Sequence, residues 1–169
     1  LMTTGKRESI FLAKWMSLEI LAFLAVMGSV ILYGVGNRTI LGDMEIPFSI
    51  FLKAGVFLWL GSLPLYLEHL FLNLCFSKTV SIAVSIGQLL ISALFLTGLG
   101  QGKWQYFPCS WSSRGTSLYL AEKFNRRAAL GAANTDLRDN ILTCILLGTV
   151  LCVIIFIWFH FYEGREVSE

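Results

Sequence analysis

The sequence predicts an all-α, polytopic membrane bundle of four transmembrane helices, and two observations predict it. Four apolar stretches, Leu12–Gly36, Phe48–Phe76, Val80–Leu99 and Ile141–Phe161, take up most of the 169 residues. Each approaches the roughly 20 residues that cross ~30 Å of hydrocarbon at ~1.5 Å per residue. Hydrophobic residues make up 56% of the chain and charged residues 14%, against roughly 25% charged in an average soluble domain. A soluble chain this short cannot hide so much apolar surface. No repeat, low-complexity tract or linker divides it, so residues 1–169 read as a single transmembrane domain.

The first helix follows a polar start with Lys6, Arg7 and Glu8, and Lys14 and Trp15 suit an interface. Its charge-free part, Ile20–Gly36, spans only ~25 Å, so the helix is expected to begin before Glu19 and to end at Gly34, Gly36 and Asn37. The run is too long for the h-region of a secretory signal, which spans about 7–15 residues. A short polar loop, Arg38 to Pro47, follows. The second stretch carries Pro64, which removes a backbone donor and crowds the Leu60 carbonyl, then Glu68 and His69. It is long for one crossing. It reads either as a tilted helix or as a crossing followed by an amphipathic stretch.

Helix three has small residues at Ser81, Ser85, Gly87 and Ser92 that permit close helix approach. It exits through Gly98, Gly100 and Gly102. Residues 100–140 form the long non-spanning segment. Its aromatic first half, Trp104, Tyr106, Phe107 and Trp111, suits a position in the headgroup layer or dipping partly in. Its second half, Ser117–Asn140, gives a weak amphipathic helix. The last helix repeats Cys144, Gly148 and Cys152 every four residues as a packing stripe, with Asp139 and Asn140 as its cap.

Chemistry-bearing motifs are sparse. A net charge of +2 gives no electrostatic case for nucleic acid. The four cysteines form no CxxC pair and read as packing residues, so no metal site is expected. Thr97 to Trp104 is a poor phosphate loop: Thr97 stands where the first glycine belongs, and Trp104 follows Lys103 where Ser or Thr belongs. No cofactor is therefore expected on this chain. Glu19 lies ~13 Å along a helix begun at Ile10, a depth at which an acid is costly and often functional. The alternative places it at headgroup level. Glu68 and His69 are adjacent, about 100° apart around their helix, and need not meet.

The stretch Gly102-Lys103-Trp104-Gln105-Tyr106-Phe107-Pro108-Cys109-Ser110-Trp111, through Arg114, resembles the permease subunits of lantibiotic self-protection ABC transporters, a branch of the type 2 ABC exporters. Those subunits carry a W-x-Y-x-P-W/C-S-W-like stretch between their last two membrane helices. Arg7 to Trp15 is similar to the basic approach to their third helix, and Leu72–Ile82 to the short link before their fifth. The final helix with its charged tail also agrees. Cys109 departs from the tryptophan common at its position.

The resemblance implies six helices, of which this chain holds the last four; its start at Leu1-Met2 fits that. It implies a multi-pass protein of the bacterial cell membrane with cytoplasmic termini and an extracytoplasmic segment 100–140. Charge alone favours the opposite orientation, with five Lys and Arg on the terminal side and eight on the other. The resemblance is followed here, because upstream sequence can carry the charges that set orientation. It further implies two permease subunits docked on a separate ATP-binding cassette subunit that holds the ATP. The cargo would be an amphipathic lantibiotic-type peptide in the membrane, and this chain would be a transport subunit and not an enzyme. Trp104, Tyr106, Trp111, Arg114 and Glu19 are the expected cargo contacts. The rival expectation is a membrane-embedded enzyme, or a non-ABC accessory subunit, built on Glu19, Glu68 and His69.

Overall fold

Residues 4–40, 42, 46–124 and 137–161 are described by a computed structural model. Every regular element among them is helical: α1 (Thr4–Ile40), α2 (Phe48–Cys75), α3 (Lys78–Phe95), α4 (Pro108–Lys123) and α5 (Leu137–Phe161). Two 3-10 turns, Gly98–Gly100 and Trp104–Tyr106, lie between α3 and α4. Four stretches are long and apolar enough to cross a membrane: Ser9–Ile40 of α1, all of α2, all of α3, and Ile141–Phe161 of α5. The chain is a multi-pass membrane protein. The expectations for Asp43 and Glu45, for residues 125–136 and for the tail Glu163–Glu169 lie outside the described residues.

The helix ends follow from packing more than from glycine. α1 runs through Gly34 and Gly36 to Ile40, past its expected stop. Gly34 serves contact instead: a Cβ there would stand 2.7 Å from the Phe48 ring. Within α1, Ser17, Ser29 and Thr39 donate to carbonyls one turn back, at 2.8, 2.8 and 3.0 Å. Hydroxyls facing lipid are satisfied in this way without a partner helix. α2 passes through Pro64 as one helix of 28 residues, about 42 Å, so no separate amphipathic stretch follows it. α3 starts at Ser77, whose Oγ accepts from Val80 N at 3.3 Å. It stops at Phe95, short of the expected Leu99. There the chain turns so tightly that a Cβ on Gly100 would collide with the Phe95 carbonyl. Asp139 and Asn140 lie inside α5, which starts at Leu137 and not at the expected Ile141.

The order of contacts gives the topology. Phe11 of α1 packs with Leu67 of α2 and Ile155 of α5, and stacks on Phe159 at 4.3 Å. Further along, the Phe23 and Trp59 rings meet at 5.1 Å, and those of Tyr33 and Phe51 at 5.7 Å. So α1 and α2 are antiparallel, and α5 runs parallel to α2, with Phe71 against Trp158 at 4.6 Å. α3 returns along α2, with Gln88 bonded to Glu68. At 18 residues, about 27 Å, it covers only part of the length of α2. α4 then continues in the same direction, placing Ser112 on Gly61 and Tyr119 on Phe57. α3 and α4 thus follow one another along α2, with a break between them.

Candidate functional site

α4 is the most enclosed helix of the bundle and the least apolar. Pro108, expected to divide an aromatic interfacial segment, occupies its first turn, where a missing N–H has no consequence. The buried residues Ser110, Trp111, Arg114, Leu118 and Ala121 form one face at helical spacing. That face packs at membrane depth. An added Cβ on Gly61, midway along α2, would sit 2.6 Å from Ser112 backbone atoms, and one on Gly148 of α5 would sit 3.2 Å from the Trp111 ring. The Cys144, Gly148 and Cys152 stripe is thus a contact within this chain.

The motif residues build this insertion. Ser110, wholly buried, places its Oγ 2.7 Å from the Trp104 carbonyl and 2.8 Å from that of Phe107. Trp111 donates its indole N–H to the Gln105 carbonyl at 2.9 Å. Both bonds tie the Trp104–Tyr106 turn to the first turn of α4. Trp104, Trp111 and Leu118 form a small core with Phe95, Cys144 and Leu147 around them. Arg114, 1% exposed, donates from Nη1 to the Leu96 carbonyl at 2.9 Å. Leu96 caps the C-terminal end of α3, where carbonyls lack helical partners and the helix dipole is negative. Ser92 and Ser113 share a hydrogen bond of 2.8 Å one turn away. A cation and a hydroxyl pair thus join α3 and α4.

Of the expected cargo contacts, Trp104, Trp111 and Arg114 are turned inward, and Tyr106 faces outward at 61% exposure. Cys109, beside them, is buried. Glu19 lies on α1, buried, level with the middle of α2, where Trp59 donates to the Glu19 carbonyl at 3.3 Å. Trp59 is 11 residues, about 16 Å, from the start of α2 and 16 residues, about 24 Å, from its end. Glu19 is thus level with the interior of a helix long enough to cross a membrane. Both carboxylate oxygens are enclosed without a hydrogen-bond partner. The indoles of Trp15 and Trp59 stand beside them without closing a bond.

Glu68 and His69 face α3: Glu68 accepts from Gln88 at 2.8 Å, and His69 Nδ1 meets Ser81 Oγ at 3.3 Å. Along α2, Trp59 and Glu68 are nine residues apart, about 13 Å, so Glu19 and Glu68 do not converge. Among the described residues no group of three His, Cys, Asp or Glu comes together as a metal site. Sequence reasoning missed the burial of α4, although its inward face repeats at helical spacing from Ser110 onward. Compared with family models, curated proteins and solved structures, the chain finds no match.

Proposed function

We propose that this chain is a membrane-spanning permease subunit of a bacterial ABC transporter that expels lantibiotic-type peptide from the membrane. A second permease subunit and a separate ATP-binding cassette subunit would complete it, and ATP would be held by that cassette. One observation carries the reading. The stretch that resembles such permeases, Gly102 to Arg114, is a built insertion at membrane depth, stitched by Ser110, Trp111 and Arg114. A polar helix inside a membrane bundle is costly and marks working parts of transport proteins. The break between α3 and α4 supplies a joint at which two arrangements of the helices can differ. Trp104, Trp111 and Arg114 would hold the insertion, and Tyr106, exposed, and Glu19, buried with its carboxylate unbonded, would be the cargo contacts.

Isolation of the full-length subunit from its native membrane tests the reading. The expected result is a stoichiometric ATP-binding partner whose hydrolysis is stimulated by an amphipathic cationic peptide. Recovery of the subunit alone would refute it and move attention to a membrane-embedded enzyme.

A further inference from the structure

Glu19 is the one acid of α1 shown as buried among the described residues, and neither of its carboxylate oxygens has a hydrogen-bond partner. Its surroundings have a definite chemistry. Two indoles, Trp15 from α1 and Trp59 from α2, stand beside the carboxylate. The Trp15 Nε1 is itself buried without a partner. An enclosed carboxylate without a bonded partner attracts a cation by charge. A cation arriving there meets a low dielectric, where the attraction is strongest.

Next to this acid is a cavity of about 460 Å³ between α1, α2, α4 and α5. Trp15, Leu60, Pro64, Trp111, Gly115 and Cys152 line it among others, and the lining is almost wholly apolar. It is within the size range of small-molecule sites, about 300–1,000 Å³. Trp15 belongs both to its wall and to the surroundings of Glu19, and Cys152, in the same wall, is within electrostatic reach of the carboxylate.

We propose that the cavity and Glu19 together bind a cationic amphiphile: its apolar part fills the cavity, and its ammonium or guanidinium group meets the carboxylate between Trp15 and Trp59. This rests on the peptide-export reading, and it names which feature of the cargo the chain recognises. An uncharged hydrocarbon chain would occupy the cavity without using the acid.

The test uses the full-length chain in phosphatidylcholine nanodiscs with two probes, bromine-tipped dodecylammonium and bromine-tipped dodecanol. Bromine quenches the nearby indoles, and Trp104 and Trp111 are in the cavity wall. The ammonium probe is expected to bind about tenfold tighter than the alcohol, as one charge-assisted contact at bilayer depth provides. Glu19→Gln keeps the side-chain size and should abolish that preference. Gly115→Leu should weaken both probes about tenfold or more by filling the cavity. Its Cβ meets nothing within 4 Å, leucine favours helix over glycine, and an unfolding midpoint at or above wild type confirms that the variant is folded. Equal binding of both probes in wild type, or a preference that survives Glu19→Gln, overturns the proposal and leaves the cavity to lipid chains. Unchanged binding in Gly115→Leu overturns it as well. The assay needs no ATPase, so an ammonium preference without a cassette partner would sink only the transporter reading. Loss of the preference with the cassette partner present would sink only this site.

Discussion

Gly61→Ala is predicted to pry α4 away from α2. The added Cβ would lie 2.6 Å from both Cα and N of Ser112 and 2.9 Å from the Trp111 carbonyl carbon. Ordinary contact begins near 3.4 Å, so the two backbones must part by 0.8 Å at that point. The obstructing atoms are backbone and cannot swing aside. Overpacking of this kind costs about 1–3 kcal/mol, and rigid neighbours put it in the upper half. Replacing helical glycine by alanine returns up to about 1 kcal/mol. The net loss is on the order of 1–2 kcal/mol, a roughly 5–30-fold shift in the folded fraction. Gly115→Ala is the matched control on the facing helix. Its Cβ enters open space, so it should stabilise by about 0.5–1 kcal/mol. Unfolding midpoints of the three proteins in one detergent decide the matter. If Gly61→Ala is as stable as Gly115→Ala, the close approach of α2 and α4 is wrong.

Four further outcomes follow from the same fold. Arg114→Met should leave the Leu96 carbonyl without its donor, at about 1–3 kcal/mol, and open residues 97–107 to protease, with partial rescue by Arg114→Lys. Trp111→Phe, which keeps a ring but loses the bond to Gln105, should cost about 1 kcal/mol. Tyr106→Ala, at an exposed position, should change stability by less than about 0.5 kcal/mol and alter only peptide tolerance, read by growth inhibition. Gln88→Leu should destabilise more than Glu68→Gln, because the first strands the Glu68 carboxylate and the second retains hydrogen-bonding capacity; thermal melts compare them.

The four crossings were legible because apolar length is a local property that the bilayer imposes on each helix separately. Phe48 as the start of α2 and Phe161 as the end of α5 agree with the structure for that reason. The helix ends defined by glycine were less legible. Gly34 and Gly36 resemble a stop, yet Gly34 admits the Phe48 ring, a tertiary demand invisible in sequence. The largest difference concerns residues 104–123. Serines, threonine and arginine there resemble an exposed segment, because composition does not reveal partners. Those partners are the Trp104, Phe107, Gln105 and Leu96 carbonyls. They come from a turn and a helix end, and neither can be placed without the fold. The setting of Glu19 was half legible: counting from Ile10 gives its position along α1, but its enclosure against Trp59 of α2 is a tertiary contact.

The inserted helix changes how a peptide-handling role works physically. An interfacial loop of aromatics would meet cargo at the surface. Here the same aromatics lock the polar helix α4 between α2 and α5, and the acid of α1 and the apolar cavity stay at bilayer depth. Recognition then falls to the bundle interior, and the α3–α4 joint becomes the place where a partner's energy can be felt.

A cysteine scan of residues 97–123 in a cysteine-free background, read by spin-label collision with oxygen and with a water-soluble nickel chelate in liposomes, tests the inserted helix most directly. The account predicts that labels at Tyr106 and Phe107 report membrane depth, and that labels on the buried face of α4 are shielded from both relaxants. Strong nickel contact along the whole of Pro108–Lys123 would make it a surface helix and contradict the account.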